Sequence, residues 1–247
     1  MSATKSLARV LEEYPNFSPG WTAFVNGEPQ PPDTIVSLRH PNFGSVEQAV
    51  VMKADGTPSF DRPLYIEAPF GQTVLYGYGK DGKTRLGLVV QERPHADVPG
   101  NENYDRYNRA VLFMTCVMGF KDKIRGKLEE DLATARREMK EEMGTAMILS
   151  EWEHQTGHNP SPSFTSTWGA VTALQIDLSS LVEAGHDPNE PLAGRFWLTV
   201  REWKDAVARG YFTFANGRVA YTCYDVSVGA VQMFLSAHPA IEREAFE

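Results

Sequence analysis

The chain has 247 residues, of which 42% are hydrophobic, and this apolar content is enough for a folded core and argues against intrinsic disorder. Its formal net charge of -8 at pH 7 argues against general attraction to nucleic acid, whose backbone is also negative. No stretch approaches the ~18 apolar residues of a membrane span, and the first residues lack the apolar run of a signal peptide. We therefore expect a soluble cytoplasmic protein with neither a membrane nor a nucleic-acid partner.

The first part of the chain is rich in turn signals. A short helix is predicted over residues 5–13, and β-like segments at 46–53 and 63–68 flank the turn sequence ADGTPS. We interpret residues 1–70 as a small β-rich N-terminal region and residues 71–247 as the main domain.

The clearest hairpin signal opens the main domain. Residues 72–79 and 84–94 flank KDGK, in which Asp81-Gly82 offers the positive φ that a tight turn needs. A polar loop is expected over 94–108. The continuous apolar run at 109–120 is typical of one strand buried on both faces.

Strands and helices then alternate to the end of the chain. A helix is predicted from about 129 to 143 and ended by Gly144. The later strands and helices are predicted at 146–156, 167–178, 195–200, 201–210 and 225–238. This pattern predicts a mixed α/β (α+β) domain. The two cysteines, Cys116 and Cys223, lie in separate apolar or aromatic runs and are predicted to be buried thiols.

The segment ATARREMKEEMG, residues 133–144, gathers acidic side chains on one flank of the predicted helix. At about 100° per residue, the core-facing stripe consists of Leu132, Ala135, Met139 and Met143. Glu138, Glu141 and Glu142 lie beside it, where the buried face meets solvent. The basic residues are expected toward the other flank: Arg136, Arg137 and Lys140. A solvated charged face is one interpretation; the other is a cluster of carboxylate oxygens that binds Mg²⁺ or Mn²⁺.

The spacing resembles the Nudix box, G-x5-E-x7-R-E-U-x-E-E-x-G-U, in which U is apolar. Every fixed position from Glu129 to Gly144 is matched. Lys123 stands where the pattern has its first glycine, and the final apolar position is also changed. Gly119, at the end of CVMGF, is one candidate for the box glycine, with about four extra residues before Glu129. The alternative is Gly126 with a shortened loop.

The resemblance implies a Nudix-type α/β/α sandwich with a mixed sheet that hydrolyses a diphosphate bond with Mg²⁺ (or Mn²⁺). Carried over, Glu138 and Glu142 would bind the metal, and Glu141 would bind a further metal or act as the base. Arg137 would orient Glu138 and Glu129 through charge-assisted hydrogen bonds. The implied metal shell also includes the backbone carbonyl of Met118 and the carboxylate of Glu129.

Further likeness points to the ADP-ribose pyrophosphatases within that family. The stretches LGLVVQERP and NPSPSFTST, and the small N-terminal region, are similar to this subgroup. The resemblance implies an ADP-ribose-like nucleotide substrate and a homodimer. It also implies Glu190 as a catalytic base on a mobile loop, and three substrate-binding residues: Arg93, Ser163 and Phe164. His154 and His158 are four residues apart, but we do not expect a metal site there, because their segment is predicted as strand and loop.

Two alternatives stay open at this stage. Lys123 and the enlarged loop also fit a Nudix-type domain that senses a nucleotide without hydrolysing it. A different Nudix chemistry, such as nucleotide-pool cleansing or cap removal, is the other alternative, although the acidic chain argues against RNA capture.

Overall fold

A computed structural model describes residues 4–26, 28–31, 33–40, 44–94, 110–124, 126–154, 169–185, 192–222 and 227–247. The chain divides into two compact units, with a boundary between Pro69 and Phe70. Within the ranges above, no helix combines the length and the apolar character needed to cross a lipid bilayer. The functional roles predicted for residues 1–70 and 71–247 stay predictions.

The described part of the N-terminal unit consists of a four-stranded antiparallel sheet with one short helix packed on it and a separate two-stranded ladder. Its strands are β1 (Thr4–Ser6), β2 (Phe24–Val25), β3 (Glu28–Pro29), β4 (Ser37–His40), β5 (Gly44–Met52) and β6 (Pro58–Glu67). Strand β5 pairs with β6 on one side and with β1 and β4 on the other. Helix α1 (Leu7–Glu13) buries Leu7 and Val10 against Val50 and Met52. The predicted helix and the two predicted strands of this region are confirmed.

The main unit is built around one mixed sheet. Its strands are β7 (Phe70–Tyr78), β8 (Thr84–Pro94), β9 (Ala110–Thr115), β10 (Val117–Phe120), β11 (Lys123–Ile124), β12 (Lys127–Leu128), β13 (Gly144–Thr145), β14 (Ile148–Glu153), β15 (Gly169–Ile176), β16 (Val182–Glu183), β17 (Leu192–Thr199), β18 (Tyr211–Thr213) and β19 (Val219–Thr222). The large sheet has the order β14-β15-β7-β8-β9-β19-β18, with β10 beside β7 and β17 beside β8. Strands β15 and β19 pair in parallel with β7 and β9, so the predicted mixed sheet is confirmed.

Helices cover both faces of this sheet. They are α2 (Asp131–Glu138), which continues as a π-helical turn (Met139–Met143), α3 (Val200–Arg209), α4 (Gly229–Ala237) and α5 (Pro239–Arg243). Successive side chains of a strand point to opposite faces, and Leu75 of β7 accordingly packs with α2 while Val74 packs with α3 and α4. The predicted stripe of apolar residues on α2 is the buried one. The α/β/α layering is therefore confirmed.

The hairpin between β7 and β8 turns at the predicted residues. Gly82 has a φ of 74°, in the left-handed region that favours glycine. The carboxylate of Asp81 accepts hydrogen bonds from the backbone N–H of Lys83 and from the side chain of Arg85. The loop predicted over 94–108 lies outside the described residues, apart from Pro94 at the end of β8.

The apolar run 109–120 does not form the single strand that we predicted. Strand β9 pairs with β8 and ends at Thr115, whereas β10 begins at Val117 and pairs with β7. The chain changes partner at Cys116, whose N–H donates to the Ser227 hydroxyl at 2.8 Å. Both segments are apolar, so the run itself carries no signal for the exchange. Cys116 is buried, as predicted, and Cys223 lies outside the described residues.

Gly144 ends the turn after α2 where two backbones meet. Its φ is 123°, and a Cβ there would overlap the backbone of residues 182–184. Strand β13, which begins at Gly144, pairs with β16, and the N–H of Ala184 donates to the carbonyl of Met143 at 3.2 Å. Only glycine allows both the φ and the close approach.

We expect Gly144→Ala to lower the free energy of unfolding by about 2 kcal/mol or more, because it adds backbone strain to a backbone clash. Urea unfolding followed by circular dichroism measures the change. Gly185→Ala is the matched control, since a Cβ at Gly185 meets no atom within 4 Å. Equal stability of the two variants would contradict this account of Gly144.

Candidate active site

The helix that carries the glutamates changes its winding where they lie. Helix α2 ends at Glu138, and the backbone continues as a π-helical turn from Met139 to Met143, in which the N–H of Gly144 bonds the carbonyl of Met139. The predicted helix end at Gly144 is confirmed, while the π turn was not predicted. Short π segments inside helices are rare and are frequently found at functional sites.

The three glutamates differ in their exposure. Glu138 is 7% exposed and Glu142 is 4% exposed, whereas the side chain of Glu141 is 47% exposed. The sequence placed all three at the edge between core and solvent, so the burial of two of them is a correction. A carboxylate is costly to bury unless other groups compensate its charge.

Arg137 compensates much of this charge from the middle of the cluster. Its guanidinium donates to Glu138 at 2.5 Å, to Glu141 at 3.2 Å and to Glu129 at 3.0 Å. A further hydrogen bond of 2.7 Å reaches the carbonyl of Phe120. The helical spacing predicted Arg137 toward the other flank, but its long side chain folds back over the acidic flank. It there makes the contacts with Glu138 and Glu129 that the resemblance to the Nudix box implied.

These contacts shift the pKa values of both partners. Burial alone would lower the pKa of Arg137, but the hydrogen bond with Glu129 and the charge of Glu138 raise it above its ordinary value. Burial would raise the pKa of Glu129, but hydrogen bonds from Arg137 and Thr134 hold it below its ordinary value of 4.5. Glu129 and Arg137 therefore form an ion pair at neutral pH.

Glu142 is held by donors from two strands. The side-chain amide of Gln91, in β8, donates to one carboxylate oxygen at 3.1 Å, and the N–H of Met118, in β10, donates to the other at 3.1 Å. Gln91 is buried, and it was not among the residues predicted from the sequence. The available signal was an amide side chain in the otherwise apolar run LGLVVQ. The metal role of the Met118 carbonyl stays a prediction.

The structure distinguishes the two candidates for the box glycine. A Cβ at Gly119 would overlap the carboxylate of Glu138, so only glycine leaves room for that side chain. Gly126 lies in a hairpin turn with a φ of 80°, and a Cβ there would meet nothing within 4 Å. The geometry therefore favours Gly119.

The enlarged loop between Gly119 and Glu129 forms a small hairpin of β11 and β12. Lys123 pairs with Leu128 in this hairpin. The N–H of Glu129 donates to the carbonyl of Asp122 at 2.8 Å and closes its base, and Arg137 reaches the Asp122 carboxylate at 3.5 Å. The extra residues thus pack against Arg137, which also contacts Glu138.

The donor set of this site suits a hard divalent cation. Two buried carboxylates lie one turn apart, a third is exposed beside them, and Gly119 keeps the space around Glu138 open. Within the described part of the chain, no three acidic, histidine or cysteine side chains converge on one point. The carboxylates are kept apart by their hydrogen bonds, because Glu138 bonds Arg137 while Glu142 bonds Gln91 and Met118. Metal binding would require these carboxylates to exchange protein donors for the cation.

Several predicted site residues cannot be placed. Glu190, Ser163 and Phe164 lie outside the described residues, as do His158 and the side chain of Arg93. The backbone of Arg93 belongs to β8, two residues after Gln91. Their predicted roles stay predictions.

A cavity of about 210 Å³ lies at strands β8 and β17. Its lining combines apolar and cationic side chains: Val90, Leu112, Ala193, Gly194, Arg195, Phe214, Asn216 and Arg218. Arg195 also donates from its Nε to the backbone carbonyl of Glu142. The apolar lining residues Val90, Leu112 and Phe214 pack on the side of the sheet that faces α3 and α4, whereas α2 and the π turn pack on the other side. Arg195 was not among the residues predicted from the sequence.

No family model and no curated protein matches the chain. Among solved structures, an ADP compounds hydrolase is similar at 16% identity and a TM-score of 0.42, over 83% of this chain and 93% of that one. The NUDIX domain of Shewanella oneidensis NrtR complexed with ADP ribose matches at 14% identity and a TM-score of 0.40, over 70% and 88%. A NUDIX hydrolase from Nitrosomonas europaea matches at 13% and 0.39, over 69% and 89%. At these values the likenesses carry no argument about function.

The Glu129–Arg137 ion pair predicts a pH dependence of stability. Because the folded state lowers the pKa of Glu129, the ionised carboxyl stabilises the fold above pH 4.5, and this contribution is lost as the pH falls through the lowered value. We expect Glu129→Gln to cost about 2 kcal/mol at pH 7 and progressively less below pH 4.5. Urea unfolding at pH 7, 5 and 3, with EDTA present, measures the difference.

Glu12→Gln, at an exposed position of α1, is the control for the general effect of removing a carboxylate. A cost of Glu129→Gln that stayed constant between pH 7 and pH 3 would contradict the ion-pair assignment.

Proposed function

We propose that this chain is a divalent-metal-dependent hydrolase that cleaves the pyrophosphate bond of a nucleoside diphosphate linked to another moiety. The observation that carries the proposal is the burial of Glu138 and Glu142, one turn apart on one helix and in the register of the Nudix box.

The charge balance of the site supports a bound cation. Like charges on adjacent turns repel, and burial strengthens the repulsion because less water screens it. A cation of charge two would remove this repulsion and attract the phosphate groups of a substrate to a chain whose net charge is -8. Glu138 and Glu142 would hold it. When bound, Mg²⁺ or Mn²⁺ lowers the pKa of a coordinated water and stabilises charge that develops on the leaving phosphate.

The protein groups around the glutamates have distinct roles in this proposal. Arg137 orients Glu138, and the amides of Gln91 and Met118 fix the direction of the Glu142 carboxylate. Glu141 is exposed and accepts a hydrogen bond from Arg137, so it is free to reach solvent and take the proton of the attacking water. Glu190 is the other proposed base.

The proposed substrate class is an ADP-ribose-like compound. Its support is the likeness of LGLVVQERP and NPSPSFTST to the ADP-ribose pyrophosphatases. A homodimer formed through residues 1–70 and a cytoplasmic location complete the proposal.

We expect Glu142→Gln and Glu138→Gln to lower kcat/KM for ADP-ribose with Mn²⁺ or Mg²⁺ about 100-fold or more, because each removes a charged ligand of the cation. The measurement is chromatography of the products, AMP and a phosphorylated co-product. EDTA is expected to abolish the reaction of the wild type, and added Mn²⁺ to restore it. Glu151→Gln is the matched control, since that acid pairs with Arg136 on the protein surface.

A panel of nucleoside diphosphate derivatives extends the same assay. If no compound is cleaved and Glu142→Gln behaves like the wild type, the hydrolase proposal is wrong.

The second candidate function is nucleotide sensing without hydrolysis. The observations that favour it are the hairpin in place of the usual loop and the lack of a convergent ligand set within the described residues. Stabilisation of the protein against heat by a nucleotide that it does not cleave would support sensing over hydrolysis.

The role of Gly119 can be tested through the metal. We expect Gly119→Ala to weaken Mn²⁺ binding at least tenfold, because its methyl group displaces the Glu138 carboxylate. Gly126→Ala is the control, since its methyl group meets no neighbour and its backbone strain is confined to the hairpin. Titration of Mn²⁺ by electron paramagnetic resonance measures both. A larger loss of Mn²⁺ affinity in Gly126→Ala than in Gly119→Ala would instead assign the box glycine to Gly126.

A further inference from the structure

We infer that Arg195 is a positioning residue, which fixes the π turn and thereby the carboxylate of Glu142. The inference rests on the proposed function, because it assigns Arg195 to the same metal site.

The side chain of Arg195 bridges two backbone segments. It is half-buried on β17, and its Nε donates to the carbonyl of Glu142. Its Nη2 donates to the carbonyl of Gly185 at 3.2 Å. One guanidinium group thus ties the turn that carries the glutamates to the segment that follows β16.

The carbonyl of Glu142 lies at a helix end. The last carbonyls of a helix lack the N–H donors of a following turn, and here the chain leaves the helix at Gly144. The next carbonyl, that of Met143, accepts from the N–H of Ala184. A cation at this end also interacts favourably with the helix dipole. Arg195 therefore caps the turn at the residue that carries a proposed metal ligand.

Glu142 is consequently held at both its backbone and its side chain. Strands β8 and β17 are antiparallel neighbours, with Arg195 opposite Val89, and Gln91 lies two residues beyond Val89 on the same face. Arg195 holds the carbonyl of Glu142 while Gln91 holds its carboxylate. Both hydrogen bonds come from one pair of adjacent strands. The sheet, as well as the helix, therefore sets the direction of the Glu142 carboxylate.

Positioning and simple electrostatics predict opposite results. Among the described residues Arg195 forms no ion pair with a carboxylate, so its charge is not needed to neutralise the ligands. If Arg195 acted only through its charge, its removal would strengthen cation binding, because one nearby repulsive charge would be lost. If it positions Glu142, its removal weakens cation binding, as for other groups that orient a metal ligand.

The experiment compares Mn²⁺ binding by wild type, Arg195→Gln, Arg195→Lys and the control Arg201→Gln. Arg201 makes a similar contact elsewhere, from its Nε to the carbonyl of Ala245 at 3.2 Å. We expect Arg195→Gln to bind Mn²⁺ about tenfold more weakly, Arg195→Lys to recover part of the loss, and Arg201→Gln to match the wild type. The Mn²⁺ concentration for half-maximal hydrolysis should rise by the same factor, with KM for the nucleotide unchanged at saturating Mn²⁺.

A second measurement needs neither metal nor activity. The exchange of backbone amide hydrogens is measured in EDTA and read out by mass spectrometry. Residues 139–145 should exchange faster in Arg195→Gln than in Arg201→Gln. Equal exchange in the two variants, or Mn²⁺ binding by Arg195→Gln as tight as that of the wild type, would overturn the inference. A wild type that binds no Mn²⁺ would instead overturn the proposed function, and the exchange rates would still decide the role of Arg195.

Discussion

The burial of two carboxylates on adjacent turns of one helix is the constraint on which the rest of the main unit depends. Each charge has to recover, inside the protein, the interactions that it loses with water. For Glu138 the compensation is Arg137, whose guanidinium also binds Glu129 and Glu141. For Glu142 it is a pair of amides on neighbouring strands. A network of this kind is stable when every member is satisfied, and it leaves little freedom to the elements that supply the donors.

The change of strand partner at Cys116 allows two different strands to contact Glu142. Gln91 belongs to β8 and Met118 to β10, and both must reach the same carboxylate. Strand β9 stays beside β8, whereas β10 crosses to β7 and brings Gly119 against Glu138. A single uninterrupted strand beside β8 could not supply both contacts. The same divergence leads the chain into the hairpin whose base contacts Arg137.

Local patterns predicted much of this fold because they depend on neighbours in the sequence. The spacing of Leu132, Ala135 and Met139 predicted the buried face of α2, and Asp81-Gly82 predicted the turn of the first hairpin. The prediction of a single strand over 109–120 was wrong because strand pairing depends on residues that are distant in sequence. Nothing within this apolar run indicates where its pairing partner changes.

By itself the sequence determined the mixed α/β class, the glutamate register from Glu129 to Gly144 and the chemistry that such a donor set favours. The fold class follows from the order of the predicted strands and helices, and the glutamate register and its chemistry follow from residue types and their spacing. The tertiary structure decided that Glu138 and Glu142 are buried while Glu141 is exposed, and that Gly119 is the glycine that accommodates Glu138. It also brought Gln91 and Arg195 to Glu142 from strands about 50 residues away in either direction. Hydrogen bonds between such distant residues exist only after the sheet has formed, so no local pattern contains them.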